Sequence, residues 1–207
     1  METFLYNIGE ILTGRLDSPT LDAESLVINN GRIASIGEEP LQSPCLSIDC
    51  KDMVVAPGLV DTHVHPTIGD FAPKQASVGY LERMVHGAVT HAVSAGEVHV
   101  PGRAGADSAL AIALAAYMSY KNYGPLGIKV HGGGLLLEED TETRHIDQAF
   151  VAGMRIIGEV GIGSLKDPTR AGELAKYARD LGMVVHMHCG ATSDRGPGGE
   201  RHPYFSA

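Results

Sequence analysis

The chain has 207 residues, enough to bury a substantial core and to form one large domain or two smaller ones. Hydrophobic residues make up 43% and charged residues 20%, a composition typical of a soluble globular protein. The formal net charge of −9 argues against a nucleic-acid partner, and no apolar run reaches the ~18 residues that would span a membrane. Three cysteines without a CxxC pair indicate reduced thiols, and the first residues lack a secretory pattern, so we expect a cytoplasmic protein.

Residues 1–56 are predicted to form a separate, β-rich segment. Helical patterns are nearly absent there, and Asn29-Asn30-Gly31 predicts a hairpin turn because asparagine and glycine tolerate positive φ angles. We expect a small β-sandwich, or an open sheet, built from four short strands: 4–8, 25–28, 32–36 and 46–49.

Residues 57–207 alternate between strands and helices. Asp107 is expected to cap the second helix and Asp167 the fourth, with Pro168 at its first position and Gly182 after its last turn. Beyond the apolar stretch that runs from Val54 to His65, the predicted strands are 88–95, 127–131, 155–160 and 183–188. The predicted helices are 77–86, 107–120, 141–152 and 168–181.

This alternation predicts a parallel sheet, either doubly wound or closed into a (β/α)8 barrel. We favour the barrel because most strands carry a charged residue or a histidine towards the carboxyl end, where barrels place their chemistry. A complete barrel takes about 250 residues, so about five βα units predict an incomplete barrel. We therefore expect a truncated chain: a fragment, a shortened reading frame or one half of a split protein.

The stretch from Val54 to His65 ends in two histidines that are one residue apart. Its apolar run, interrupted by Pro57-Gly58, predicts a short buried strand. Residues i and i+2 of a strand point to the same side, so His63 and His65 can reach a single metal ion. Surface histidines also produce this spacing, and the motif alone does not decide between the two.

Glu159 lies near the end of the fourth strand of this region. A charged residue in an apolar strand is costly to bury unless it is paired or coordinated. Glu159 is therefore interpreted either as a metal ligand or as the partner of Arg155 or Lys129 in a salt bridge.

The fifth strand repeats the two-residue spacing with His186 and His188. His188 is the metal candidate because it is nearer the carboxyl end, and a core histidine with satisfied hydrogen bonds is the alternative, favoured for His186. His131 could contact substrate or be a loop histidine. Cys189 is more plausible as a small buried thiol than as a ligand.

Two other motifs were weighed against a metal site. The run His131-Gly132-Gly133-Gly134 is similar to the oxyanion loop of lipase-like hydrolases, but the chain has no Gly-x-Ser-x-Gly. Gly161-Ile162-Gly163 follows a strand as in a dinucleotide-binding loop, but the third glycine is missing.

A buried strand that is entered through Pro-Gly and ends in Asp61-Thr62-His63-Val64-His65 resembles the first barrel strand of the amidohydrolase superfamily, whose members hydrolyse amide and related bonds with one or two metals. The β-rich segment, with its pattern from Ile28 to Gly37, is also similar to the one that precedes their barrels. Over nearly the whole chain, further motifs resemble the enamidase branch, whose members open a cyclic enamide: 69–75, 94–96, 101–103, 129–133, 158–161 and 187–188.

The resemblance implies a cyclic amide hydrolase with two divalent ions, zinc or iron, and a metal-activated hydroxide that attacks the ring amide carbon. His63 and His65 would hold the first ion, Glu159 would bridge in place of the usual carbamylated lysine, and His188 would help hold the second. The implied substrate is 6-oxo-1,4,5,6-tetrahydronicotinate, from nicotinate degradation, and the implied assembly is a homotetramer. Four residues are candidates for substrate binding: Arg103, Lys74, Lys129 and His131. Arg103 ranks first as the partner of the substrate carboxylate. For Arg103, Lys74 and Lys129 the alternative is a solvated or structural charge.

The superfamily pattern also requires a further histidine on the sixth strand and an aspartate at the end of the eighth. The aspartate is both a metal ligand and the proton shuttle. Neither position lies within the chain, so no catalytic acid or base is assigned, and the chain alone is expected to be inactive or barely active. The alternatives are a metal-binding but non-catalytic domain, another cyclic amidohydrolase of the dihydroorotase or imidazolonepropionase type, and a degenerate fragment that does not fold alone.

Overall fold

The computed structural model describes residues 2–40, 46–66, 79–98, 100, 102–161 and 163–187. The chain divides into two compact units, Met1–Gly58 and Leu59–Ala207. The sequence placed this division between residues 56 and 57.

The first unit is a single five-stranded sheet of β1 (Glu2–Leu12), β2 (Thr20–Leu21), β3 (Leu26–Asn29), β4 (Arg32–Ile36) and β5 (Leu46–Val55). The long strand β1 pairs antiparallel with β2 and β3 and parallel with β5. The described residues therefore form the open sheet that the sequence allowed, and the predicted β-sandwich is not confirmed.

The predicted hairpin turn joins β3 to β4. Asn30 has φ 50° and Gly31 has φ 73°, both in the left-handed region that these residue types tolerate. The turn brings Asn29 opposite Arg32 and so sets the register of the hairpin. Beneath the sheet, a small core is formed by the buried side chains of Ile8, Ile11, Leu26 and Cys50.

The second unit follows the predicted alternation of strands and helices. Its strands are β6 (Leu59–Val64), β7 (Val89–Ser94), β8 (Lys129–His131), β9 (Ile156–Val160) and β10 (Val184–Met187). Its helices are α1 (Tyr80–His86), α2 (Gly105–Asn122), α3 (Thr143–Val151) and α4 (Pro168–Asp180), with a 3-10 turn at Pro125–Gly127.

All five strands run parallel. One sheet has the order β6-β7-β8, and β9 pairs with β10 in another. Between them, Leu135 forms a parallel bridge to Ile157, and the Leu135 carbonyl accepts the Gly158 N–H at 2.8 Å. This arrangement of five βα units is consistent with an incomplete (β/α)8 barrel.

The largest core lies between β9 and the helices α2, α3 and α4. Each helix contributes apolar residues from one side, as the helical spacing of Ala171, Leu174 and Ala178 in α4 predicts. The most deeply buried side chains of this core are Leu135, Leu137, Ile146, Met154, Ile157 and Leu174. The packed helices hold β9, and with it Glu159, in a rigid position.

The caps of α2 and α4 differ in how well they were predicted. In α4, Asp167 accepts the Thr169 N–H at 2.9 Å and Pro168 occupies the first turn, as expected. The prediction for Asp107 was wrong, because α2 begins at Gly105 and Asp107 lies within its first turn. There its carboxylate contacts His145 Nε2 at 3.1 Å, a tertiary contact that local sequence patterns do not encode.

The expectation of a buried strand before the two histidines was also wrong in part. Leu59 and Val60 are each 59% exposed, whereas Val64 at the other end of β6 is 5% exposed. Within the described residues β6 pairs only with β7, so most of its apolar surface is left uncovered.

No helix in the described part of the chain is both long and apolar enough to cross a membrane.

Candidate metal centre

His63 near the end of β6, His65 directly after β6 and one glutamate from β9 converge at the carboxyl ends of these strands. The ligand atoms of His63, His65 and Glu159 all lie within 4.8 Å of one another. His65 Nε2 is 3.6 Å from Glu159 Oε2, and His63 Nε2 contacts Glu159 Oε1. The predicted spacing therefore does bring both imidazoles to one point, and the structure adds Glu159 to them.

Glu159 is held at this point by its backbone. It is 3% exposed, and its N–H donates to the Ala95 carbonyl at 2.7 Å. Its neighbour Arg155, one of the two salt-bridge partners considered from sequence, donates instead to the carbonyls of Phe150 and Met154 at 2.9 and 2.7 Å. The Glu159 carboxylate thus faces imidazoles, an arrangement that suits a metal ligand.

The hydrogen bonds of His65 determine which of its nitrogens is available. Nδ1 lies 2.8 Å from the Gly96 carbonyl, which can only accept, so Nδ1 carries the proton. In the neutral ring with this tautomer, Nε2 is the nitrogen that can ligate a metal, and it lies on the side of Glu159. Burial lowers the pKa of His65, but the Glu159 carboxylate and the Gly96 carbonyl stabilise the protonated ring and together raise the pKa above its ordinary value.

His186, on β10, belongs to the same cluster although sequence analysis favoured a satisfied core histidine. Its ring stacks on that of His63 with 5.8 Å between centroids and 14° between planes. Its Nδ1 is buried and has no hydrogen-bond partner in the described part of the chain. Burial and the neighbouring His63 lower the pKa of His186, which favours the neutral ring. The repeated His-x-His spacing was the sequence signal that could have placed it here.

These donors fit a divalent metal. Two imidazoles and a carboxylate are ligands that suit zinc and iron alike, and a buried carboxylate is costly without a positive partner.

The other predicted site residues are not all brought to this cluster. His131 is exposed and stacks on His91, with 6.0 Å between ring centroids. Arg103 donates from Nε to Glu138 Oε1 at 2.7 Å, and Glu138 Oε2 also accepts the Ser164 N–H at 2.7 Å. Arg103 is thus engaged in a largely buried ion pair, and its contact with substrate stays a prediction. Lys74, His188 and Cys189 lie outside the described residues.

An open cavity of about 580 Å³ adjoins the cluster through His186. Its wall includes His131 and, from strands β6, β7 and β10, Thr62, Val93 and Val184. A volume in this range accommodates a small organic molecule.

Among curated proteins, enamidase from Eubacterium barkeri is 41% identical over 198 residues, which cover 93% of this chain and 51% of enamidase. The chain is similar to enamidase. A crystal structure of enamidase, described as a new member of the amidohydrolase superfamily, matches 96% of this chain and 52% of its own with a TM-score of 0.86 and 40% identity. The chain thus has the amidohydrolase superfamily fold over about half the length of enamidase.

Two further comparisons agree with the enamidase match. Imidazolonepropionase from Fusobacterium nucleatum is 34% identical over 102 residues, which cover 40% of this chain and 25% of that enzyme. The structure of N-acyl-D-glutamate deacylase from Bordetella bronchiseptica was determined with zinc and a phosphonate inhibitor. It matches 90% of this chain and 44% of its own length, with a TM-score of 0.62 at 19% identity. At this level of identity the match supports the fold alone. No protein-family model matches the chain.

Proposed function

We propose that this chain forms the metal-binding part of an amidohydrolase that cleaves a carbon–nitrogen bond in a cyclic amide. The observation that carries the proposal is the convergence of His63, His65 and Glu159 at the carboxyl ends of two parallel strands. The 41% identity to enamidase favours a cyclic enamide as substrate. We propose 6-oxo-1,4,5,6-tetrahydronicotinate as the compound to test first, because the sequence motifs imply it.

Each residue of the cluster has a definite part in this proposal. His63 and His65 would hold one divalent ion, Glu159 would be shared between this ion and a second one, and His188 would help to hold the second. Zinc and iron both suit these ligands. A metal bound there supplies Lewis acidity for the amide carbonyl and an activated water.

Hydrolysis of the ring adds the oxygen of water to the amide carbon, breaks the amide carbon–nitrogen bond and returns a proton to the nitrogen. The nitrogen is then part of an enamine, and reaction of this enamine with a second water releases ammonia. Neutral His65 donates its Nδ1–H to the Gly96 carbonyl, so this proton is not transferred to the substrate nitrogen while the hydrogen bond holds. We assign no residue of this chain to the proton transfer, a step worth roughly 10²–10⁴ in rate.

A metal-binding but non-catalytic domain is the second candidate. The observation that favours it is that the described residues bring three metal-binding side chains together, and none of the three is assigned to the proton transfer. The two candidates differ in one outcome. An enzyme part releases ammonia from the cyclic amide once the remaining half of enamidase is supplied as a second polypeptide, whereas a non-catalytic domain binds metal and releases none.

The proposal is tested first by metal content, measured by plasma mass spectrometry on the purified chain after incubation with zinc and removal of unbound metal. We expect near-stoichiometric zinc in the wild type and its loss in His63→Ala and Glu159→Gln, because each change removes one of three converging donors. The matched control is His86→Ala, since His86 is exposed at the end of α1 and lies outside the cluster. A folded wild type without metal, or a His63→Ala variant that retains all of it, would contradict the proposal.

A further inference from the structure

The segment Ser94–Glu97, which begins at the last residue of β7, provides none of the proposed metal ligands but contacts two of them. Its Ala95 carbonyl accepts the Glu159 N–H at 2.7 Å, and its Gly96 carbonyl is 2.8 Å from His65 Nδ1. Ser94 is 0% exposed and Glu97 is 1% exposed. Two consecutive carbonyls of a buried segment therefore set the positions of a histidine and a carboxylate from different strands.

The hydroxyl of Ser94 holds both of these carbonyls in place. Its oxygen accepts the Gly96 N–H at 3.1 Å, which fixes the peptide plane that also contains the Ala95 carbonyl. The same hydroxyl donates to Glu97 Oε1 at 3.0 Å, which ties down the residue on the far side of the Gly96 carbonyl.

The backbone of this segment has little freedom to find another conformation. Gly96 has φ +124°, and a Cβ at this position would lie 2.7 Å from Leu136 Cδ2. On the other side, the Ala95 N–H donates to the Val64 carbonyl at 2.9 Å. The segment is thus hydrogen-bonded to both β6 and β9, and within it the Ser94 hydroxyl accepts the Gly96 N–H.

We infer that Ser94 is a positioning residue for the metal centre, an inference that rests on the proposed function. By orienting the Ala95 and Gly96 carbonyls, Ser94 keeps the proton of His65 on Nδ1 and holds Glu159 opposite His63. Groups that orient metal ligands in this way typically change metal affinity 10–100-fold when they are removed.

The test compares Ser94→Ala with Thr141→Val as a matched control. Thr141 is also buried, and its hydroxyl accepts the Glu138 N–H at 2.7 Å, but its hydrogen-bond partners are not among the metal ligands. Each variant leaves one buried N–H without an acceptor, so both should lower the thermal stability of the metal-free chain. Only Ser94→Ala should also weaken zinc binding, by 10–100-fold in competition with a chelator.

A second readout follows the tautomer directly. In ¹⁵N-histidine-labelled metal-free protein, the wild type should show His65 with its proton on Nδ1, and Ser94→Ala should show a mixture of tautomers. Glu97→Gln keeps the acceptor for Ser94 and should bind zinc within about threefold of the wild type. Glu97→Leu removes the acceptor of the Ser94 hydroxyl and should weaken zinc binding. This variant therefore tests the same inference if Ser94→Ala does not fold.

Equal zinc affinity in the wild type and Ser94→Ala, or equal weakening in Ser94→Ala and Thr141→Val, would overturn the role of Ser94 while leaving the proposed function intact. A folded wild type that binds no zinc would overturn both.

Discussion

Glu159 shows how a single carboxylate can be kept in the interior of a sheet. All five residues of β9 are buried, and a carboxylate there is costly unless positive charge or hydrogen-bond donors face it. His63 and His65 place their imidazoles against the Glu159 carboxylate, and a bound divalent ion would supply positive charge there. A cation at the proposed metal site would lower the cost of burying Glu159.

Glu97 is a second buried carboxyl, and it gives a prediction about pH. Burial raises the pKa of Glu97 from 4.5 to about 7, against the opposing effect of its hydrogen bond from Ser94. Between these two values the folded chain keeps a proton that the unfolded chain has lost, so Glu97 makes the free energy of unfolding fall as pH rises. We expect this decline in the wild type and its absence in Glu97→Gln.

The measurement is the urea midpoint of the metal-free chain at intervals from pH 5 to pH 8. Glu139→Gln is the matched control, because Glu139 is exposed and the change removes the same charge. The control should keep the slope of the wild type. Parallel profiles for the wild type and Glu97→Gln would show that Glu97 ionises normally in the folded chain.

At the scale of elements, the site depends on how closely β9 approaches the end of β7. Gly158 precedes Glu159, and a Cβ at Gly158 would lie 2.5 Å from the Ala95 carbonyl oxygen and 3.1 Å from that of Gly134. A glycine in a strand often marks such a close approach of backbones. The absence of a side chain at Gly158 allows the hydrogen bond between Glu159 and Ala95 to form.

Gly158→Ala is therefore expected to push β9 away from Ala95, to lower the free energy of unfolding by about 1–3 kcal/mol and to reduce zinc binding. Gly172→Ala is the matched control, since Gly172 is exposed in α4 with no atom within 4 Å of an added Cβ. That change should stabilise the chain by about 0.5–1 kcal/mol, because alanine favours the helix over glycine. Chemical denaturation measures both, and a Gly158→Ala variant as stable as the wild type would contradict the close approach.

At the scale of the whole molecule, the outer strands of the second unit leave apolar surface uncovered. Within the described residues, β10 pairs only with β9 and β6 only with β7. Val184 and Met187 on β10 are 57% and 52% exposed, and Leu59 and Val60 on β6 are each 59% exposed. Exposed strands of this kind pair readily with other chains.

We expect copies of the chain to associate through these strands in a concentration-dependent way. Val184→Lys should increase the monomer fraction in size-exclusion chromatography with light scattering, because a lysine on an outer strand opposes pairing. Val151→Lys makes the same change of charge at a side chain that is 85% exposed at the end of α3, and it should leave the monomer fraction unaltered. Equal association of the wild type and Val184→Lys would place the contact elsewhere.

Local patterns were sufficient to predict much of the fold and part of the site. The structure confirms the alternation of strands and helices, the cap at Asp167 and the turn at Asn30-Gly31. Each of these features depends on residues that are neighbours in the sequence. The same is true of the shared direction of His63 and His65, which follows from the two-residue repeat of a strand. Lys74 and His188 remain predictions.

The tertiary structure decided what distant residues do to one another. Several features of the site depend on which strands are neighbours and in what register. They are the contact of Glu159 with His63, the stacking of His186 on His63, the hydrogen bond of the Ser94 hydroxyl to Gly96 and the exposure of β6. The contact of Asp107 with His145 in place of a helix cap has the same origin. Sequence spacing specifies the direction of a side chain along its own strand or helix, whereas its partners are specified by packing between elements that are far apart in the chain.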